Sequence, residues 1–97
     1  MKVLNARYYI YRHIRPDTNQ VFYVGLGSYG EKKNYQRAHS IKNRNKHWKN
    51  IVNKCEGIFK VEIMVDNLSK ENAVIEECRF IKIYGRRDLD KGYLCNM

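Results

Sequence analysis

Proline is nearly missing from this 97-residue chain, Pro16 being the only one. That excludes a long extended linker, and one ordered domain over residues 1–97 is the expectation. Cysteine is sparse and poorly spaced for chemistry. Cys55, Cys78 and Cys95 form no Cys-x-x-Cys pair and have no histidine at finger distance, so they read as reduced, mostly buried thiols rather than zinc ligands. No apolar run reaches membrane-spanning length, and Met1 to Asn5 meet charge and polarity too early for a secretory signal. A cytoplasmic protein with no membrane partner follows. The most informative absence is acidic. From Lys32 to Lys54 there is no Asp or Glu against eight basic residues, in a chain of net charge +9. A solvated helical surface normally interleaves carboxylates with its lysines, so this stretch expects a polyanion. Tyr35, Trp48, Asn43, Asn45 and Asn50 lie among the charges, which favours nucleic acid over anionic lipid or an acidic protein.

Aromatic and β-branched residues are plentiful and mark the organising element. Residues 8–14 and 21–24 read as strands, and Pro16-Asp17-Thr18-Asn19 between them is turn chemistry, so together they form a β-hairpin. Parity puts Tyr8, Ile10 and Ile14 on one face and Tyr9, Tyr11 and His13 on the other, with Phe22 and Val24 opposed to Val21 and Tyr23. If the apolar sets face the core, Tyr11 and Tyr23 share the other face, and an odd loop sets them directly opposite each other. Two tyrosines in a half-exposed sheet is the plain alternative.

The sequence Gly25-Leu26-Gly27-Ser28-Tyr29-Gly30 matches G-x-G-x-x-G, but the strands before it are antiparallel and the region after it is basic, so a dinucleotide site is excluded. These glycines instead suit a chain leaving the sheet edge sharply or approaching a phosphate. Short helices are expected over 35–41 and 45–55, the second with Trp48, Ile51, Val52 and Cys55 as its buried stripe and Gly57 at its end. Phe59, Val61, Ile63 and Val65 alternate on one face of a third strand added to the hairpin. Ser69 caps a helix running to about Tyr84, with Ala73, Val74, Cys78, Phe80, Ile81 and Tyr84 as its apolar face. Glu77 falls near the centre of that face. A carboxylate there needs either an arginine partner or a cation, and the two readings stand level. Asp88 to Gly92 reads as a turn and Tyr93 to Met97 as a short terminal strand.

Taken together these residues resemble the GIY-YIG nuclease family. Tyr9-Ile10-Tyr11 stands where Gly-Ile-Tyr would be and Tyr23-Val24-Gly25 where Tyr-Ile-Gly would be. Arg37 follows in the next helix, Glu77 with Ile81 and Lys82 behind it follows the third strand, and Gly92 to Asn96 is similar to the family's last segment. The resemblance implies an α/β (α+β) fold, a small central three-stranded antiparallel sheet flanked by helices, and metal-dependent hydrolysis of DNA phosphodiesters. Tyr11 would help deprotonate the attacking water, its phenol lowered by nearby cations, with Tyr23 supporting it. Arg37 would neutralise the phosphate and Glu77 would hold one Mg²⁺ or Mn²⁺. Tyr9 replaces the motif's glycine, and Ile41 stands where the family histidine often lies, leaving His39 or His47 as substitutes. Arg44 competes with Arg37 for the catalytic role; Arg37 is preferred because it lies closest to the glycine turn after Tyr23. DNA contacts are expected from Lys42, Arg44, Lys46, His47, Trp48, Lys49 and Asn96. With no targeting module among these residues, specificity would come from the domain, a homodimer or a separate partner. The alternative is a non-catalytic DNA-binding module on the same basic face, and charge alone also admits an RNA-binding protein.

Overall fold

The computed structural model describes residues 7–30 and 34–85. Three strands, β1 (Arg7–Ile14), β2 (Val21–Tyr29) and β3 (Lys60–Leu68), form an antiparallel sheet in the order β2-β1-β3. Two helices, α1 (Gln36–His39) and α2 (Lys46–Lys54), separate β2 from β3, and α3 (Lys70–Tyr84) follows. The fold is thus a small α+β fold with a three-stranded antiparallel sheet flanked by helices. No helix among the described residues is long and apolar enough to cross a membrane.

Local chemistry accounts for the element ends. The β1–β2 loop closes through Arg15 N donating to Gln20 O at 2.9 Å and Asn19 N to Arg15 O at 2.8 Å, with Asn19 in the left-handed region at φ 59°. Asn45 caps α2 by accepting from Trp48 N at 2.8 Å, and Ser69 caps α3 by accepting from Asn72 N at 3.2 Å. Helix α2 ends through left-handed Glu56 and Gly57, φ 59° and 81°, and Gly57 N donates back to Val52 O.

β1 is the central strand and both of its faces are buried. On one side Ile10 and Val24 pack with Ala73, Phe80, Ile81 and Tyr84 of α3. On the other Tyr9, Tyr11 and His13 lie under α1 and α2, with Ala38 and Trp48 above them. The tyrosine face is therefore a second core, not a half-exposed sheet surface.

Two irregularities alter the expected parity. The β1–β2 register slips between His13 and Ile14, so Phe22 joins Trp48, Ile51 and Val52 on the tyrosine face while Val21 packs on the α3 face. Phe22 and Val24 thus lie on opposite sides. The β1–β3 register also shifts on both sides of Ile10, which puts Val61 and Ile63 beside Tyr11 but turns Val65 towards α3. A bulge advances the chain by one residue, and every side chain beyond it changes face. On α3, Val74 and Cys78 are exposed, and the covered stripe is Ala73, Glu77, Phe80, Ile81 and Tyr84. Of the expected buried thiols Cys55 is buried, whereas Cys95, the 88–92 turn and the terminal strand lie outside the described residues.

Candidate functional site

Antiparallel pairing sets Tyr9 opposite Gly27, Tyr11 opposite Gly25 and His13 opposite Tyr23. Tyr11 and Tyr23 are therefore diagonal neighbours rather than a direct pair, with ring centroids 6.3 Å apart. The glycines have a concrete purpose. A Cβ at Gly25 would fall on the Tyr11 ring, and one at Gly27 on the Tyr9 ring. β2 runs straight through both positions to Tyr29, so the glycine run neither turns the chain off the sheet nor opens a dinucleotide loop. It makes room for two phenols lying across the neighbouring strand.

The Tyr11 hydroxyl points at Arg44, the residue before the α2 cap. Arg44 Nη1 donates to Tyr11 Oη at 2.8 Å, Nη2 to Arg37 O at 2.7 Å and Nε to Ser40 O at 3.0 Å. Its guanidinium carbon lies 5.6, 5.2 and 5.4 Å from the ring centroids of Tyr11, Tyr23 and Trp48. Arg44 is only 5% exposed, and none of these groups is a carboxylate. Carbonyls, a phenol oxygen and aromatic faces hold a buried cation with no carboxylate partner among the described residues. Burial pushes the Tyr11 phenol above its ordinary pKa, and the hydrogen bond and charge of Arg44 offset only part of that. The expected lowering of Tyr11 is thus reversed: the desolvation of a fully covered phenol outweighs one cation.

His13 ties the same elements together. Trp48 Nε1 donates to His13 Nδ1 at 2.9 Å, so the ring proton is on Nε2, which donates to Ala38 O at 2.7 Å. Burial lowers its pKa to about 4, and the ring is neutral at physiological pH. Tyr9 Oη accepts from Ala38 N at 3.2 Å, and burial raises its pKa.

Arg37 lies on α1 at the wall of a cleft. Its guanidinium donates to Lys42 O at 2.8 Å and Asn43 O at 3.3 Å. The cleft, about 530 Å³, is lined by Gly27 and Ser28 of β2 and by Gln36, Arg37, Ser40, Lys42 and Asn43. It is polar and basic. Through their carbonyls both Arg37 and Ser40 receive Arg44, so the cleft and the Tyr11 cluster share two main-chain links.

The remaining expected site residues divide clearly. His39, Lys42, Lys46, His47 and Lys49 are exposed on the α1–α2 side. Trp48 is buried with its indole N–H given to His13, and Asn96 lies outside the described residues. Glu77 is not brought to the tyrosines: α3 packs on the opposite face of the sheet. There Glu77 is half-buried within the Ala73, Phe80, Ile81 and Tyr84 stripe, and burial alone raises its pKa. The arginine on that face, Arg12, is taken by Glu62 at 2.5 Å and by Tyr84 Oη at 2.7 Å, so it does not neutralise Glu77. No group of three or more potential metal-binding side chains occurs among the described residues. Glu77 is thus a single half-buried oxygen donor with no ion pair among the described residues.

Asp66, at the far end of β3, had no local signal in the sequence. It accepts from Tyr29 Oη at 2.8 Å and from the Tyr35 hydroxyl, joining β2, β3 and the start of α1. His13 shares the parity of Tyr9 and Tyr11 and was visible to that extent. No family model matches the chain, and no curated protein or solved structure is found to be similar to it.

Proposed function

We propose that the chain is a metal-dependent DNA endonuclease with a GIY-YIG-like arrangement of its two tyrosine motifs. The observation that carries the reading is the buried, acid-free Arg44 cluster holding Tyr11 and Tyr23, joined through the Arg37 carbonyl to a cleft lined by Arg37 and Lys42. A buried cation with no carboxylate partner among the described residues, beside a basic polar cleft, favours a phosphate diester, whose single negative charge it stabilises further as charge develops on the oxygens.

Arg37 and Lys42 would bind the phosphate, and exposed Lys46, His47 and Lys49 would follow the flanking backbone. Tyr11 stays protonated at neutral pH, because burial raises it, and acts by orienting the guanidinium. Tyr23, half-buried where Tyr11 is 1% exposed, is the more accessible of the two phenols and would meet the attacking water. Glu77 would be the carboxylate that holds a divalent cation, whose chemistry when bound is charge neutralisation, but on the α3 face, across the sheet from the Arg37 cleft.

One observation favours a second reading. Glu77 and the tyrosines lie on opposite sheet faces, as suits a DNA-binding module whose acidic position takes no part in hydrolysis. Supercoiled plasmid incubated with Mg²⁺ or Mn²⁺ separates the two. The nuclease reading expects nicking or linearisation, reduced roughly 100-fold or more by Tyr23→Phe and by Glu77→Gln with DNA binding retained. Salt-sensitive binding without cleavage of duplex, branched or single-stranded DNA would overturn it and leave the binding module.

A further inference from the structure

Helix α1, which carries Arg37, is held by groups outside it rather than by its own length. It is four residues long, has no side-chain cap and starts from Tyr35, whose φ of 47° and ψ of 36° are left-handed. Bulky residues rarely adopt that conformation, and an isolated single turn is not stable in water. Its placement therefore comes from tertiary contacts.

Several of those contacts run through Tyr35. Its hydroxyl donates to Asp66 Oδ2, while Tyr29 Oη donates to Asp66 Oδ1 at 2.8 Å. The Tyr35 ring stands edge-on to Tyr9 at 4.9 Å and to Tyr29 at 5.9 Å. Asp66 also accepts from Asn67 N at 2.7 Å, and Asn67 is left-handed at φ 59°, so the carboxylate is fixed at an irregular point of β3. One turn on, Ala38 N donates to Tyr35 O at 3.1 Å and to Tyr9 Oη, and Ala38 O receives His13.

We infer that Asp66 is a positioning residue for the cleft: by gripping the phenols of Tyr29 and Tyr35 it fixes α1 and so sets the Arg37 guanidinium at the cleft wall. The cleft lies between β2 and α1, and Gly27, Ser28, Gln36 and Arg37 line it from those two elements. Asp66 bridges β2 and the start of α1 through Tyr29 and Tyr35. Loss of the grip leaves α1 held by Arg44 on the Arg37 carbonyl and by Tyr9 and His13 on Ala38, and loosens the placement of Arg37 relative to β2. The inference rests on the proposed contact between Arg37 and phosphate.

The test uses Tyr35→Phe, which keeps the ring and removes the hydroxyl, with Asp66→Asn as the second variant. Amide hydrogen exchange at Ala38 reports α1 without any ligand, and anisotropy with a short labelled DNA duplex reports the cleft. Tyr35→Phe is expected to speed Ala38 exchange and weaken DNA roughly fivefold. The affinity loss should vanish in an Arg37→Ala background, which a merely structural role would not produce. Unchanged Ala38 exchange in both variants would overturn the grip. An equal affinity loss with and without Arg37 would overturn its action through Arg37. Arg37→Ala binding DNA as tightly as the parent would overturn the phosphate reading, and the positioning role with it, while exchange still reported whether α1 was held.

Discussion

The two faces of the sheet are built on opposite principles. Under α1 and α2 the buried groups are polar and matched: Tyr9, Tyr11, His13, Arg44 and the Trp48 indole each have a named partner. Under α3 the packing is largely aliphatic, and the charged group in the middle of the stripe, Glu77, has no ion pair among the described residues. A polar core tolerates little displacement, because a buried donor or acceptor that loses its partner costs more than the bond contributes. An aliphatic face is non-directional and can accept a misfit such as Glu77 at lower cost.

The comparison is broken most severely at Arg44. Arg44→Ala orphans the Ser40 and Arg37 carbonyls, frees the Tyr11 hydroxyl and removes packing against three rings. Urea unfolding should show a loss of about 3 kcal/mol. Arg44→Lys should recover little, since an ammonium cannot reproduce the planar fork.

Acid should break the same face through His13. Its pKa falls from 6.5 unfolded to about 4 folded, so the unfolded state binds the proton first as pH drops. Stability from this group is complete above about pH 6.5 and is lost as pH falls towards 4, on the order of 3 kcal/mol in all. Denaturant titrations at pH 7, 5.5 and 4.5 measure it, and a curve flat over that window would show that His13 is not held neutral.

Steric fit sharpens the contrast at the next level. Gly25→Ala and Gly27→Ala each set a Cβ into a tyrosine ring and should lose about 1–3 kcal/mol, whereas Gly30→Ala meets open space and should stay within about 0.5 kcal/mol. Thermal melts of the three variants check this, as about 1 kcal/mol moves the midpoint of a domain this size by roughly 4–8 °C.

The smallest effect is expected on the α3 face and has the opposite sign. Because the Glu77 pKa is raised by burial, the folded state favours the protonated form, and stability falls as pH rises from the unfolded value of 4.5 through the folded one. Glu77→Gln should therefore raise the melting temperature at pH 7 and not at pH 4. Millimolar Mg²⁺ should raise the melting temperature of the parent at pH 7 and leave Glu77→Gln unmoved.

Much of the architecture was legible because it is local. The hairpin follows from aromatic and β-branched runs around Pro16 to Asn19, α2 and α3 from helical spacing behind Asn45 and Ser69, and β3 from alternation after Gly57. Glu77 also stood out correctly as a carboxylate on a covered helix face. What misled were single-residue slips: the bulge beside Phe22 and the shifts beside Ile10 moved Phe22 and Val65 to faces that simple parity did not assign.

Local sequence settled the hairpin, β3, the Ser69 cap, the central glutamate of α3 and the concentration of positive charge, since each depends on residues within a few positions of one another, but not the extension of β2 to Tyr29. Only the tertiary structure decided that Arg44, 33 residues away, reaches Tyr11 while Arg37 faces the cleft, that Gly25 and Gly27 seat tyrosine rings, and that Asp66 grips Tyr35 across 31 residues. Those pairings turn on which face each helix covers and where a bulge falls, and no local periodicity encodes the partner that a buried polar group finds across the sheet.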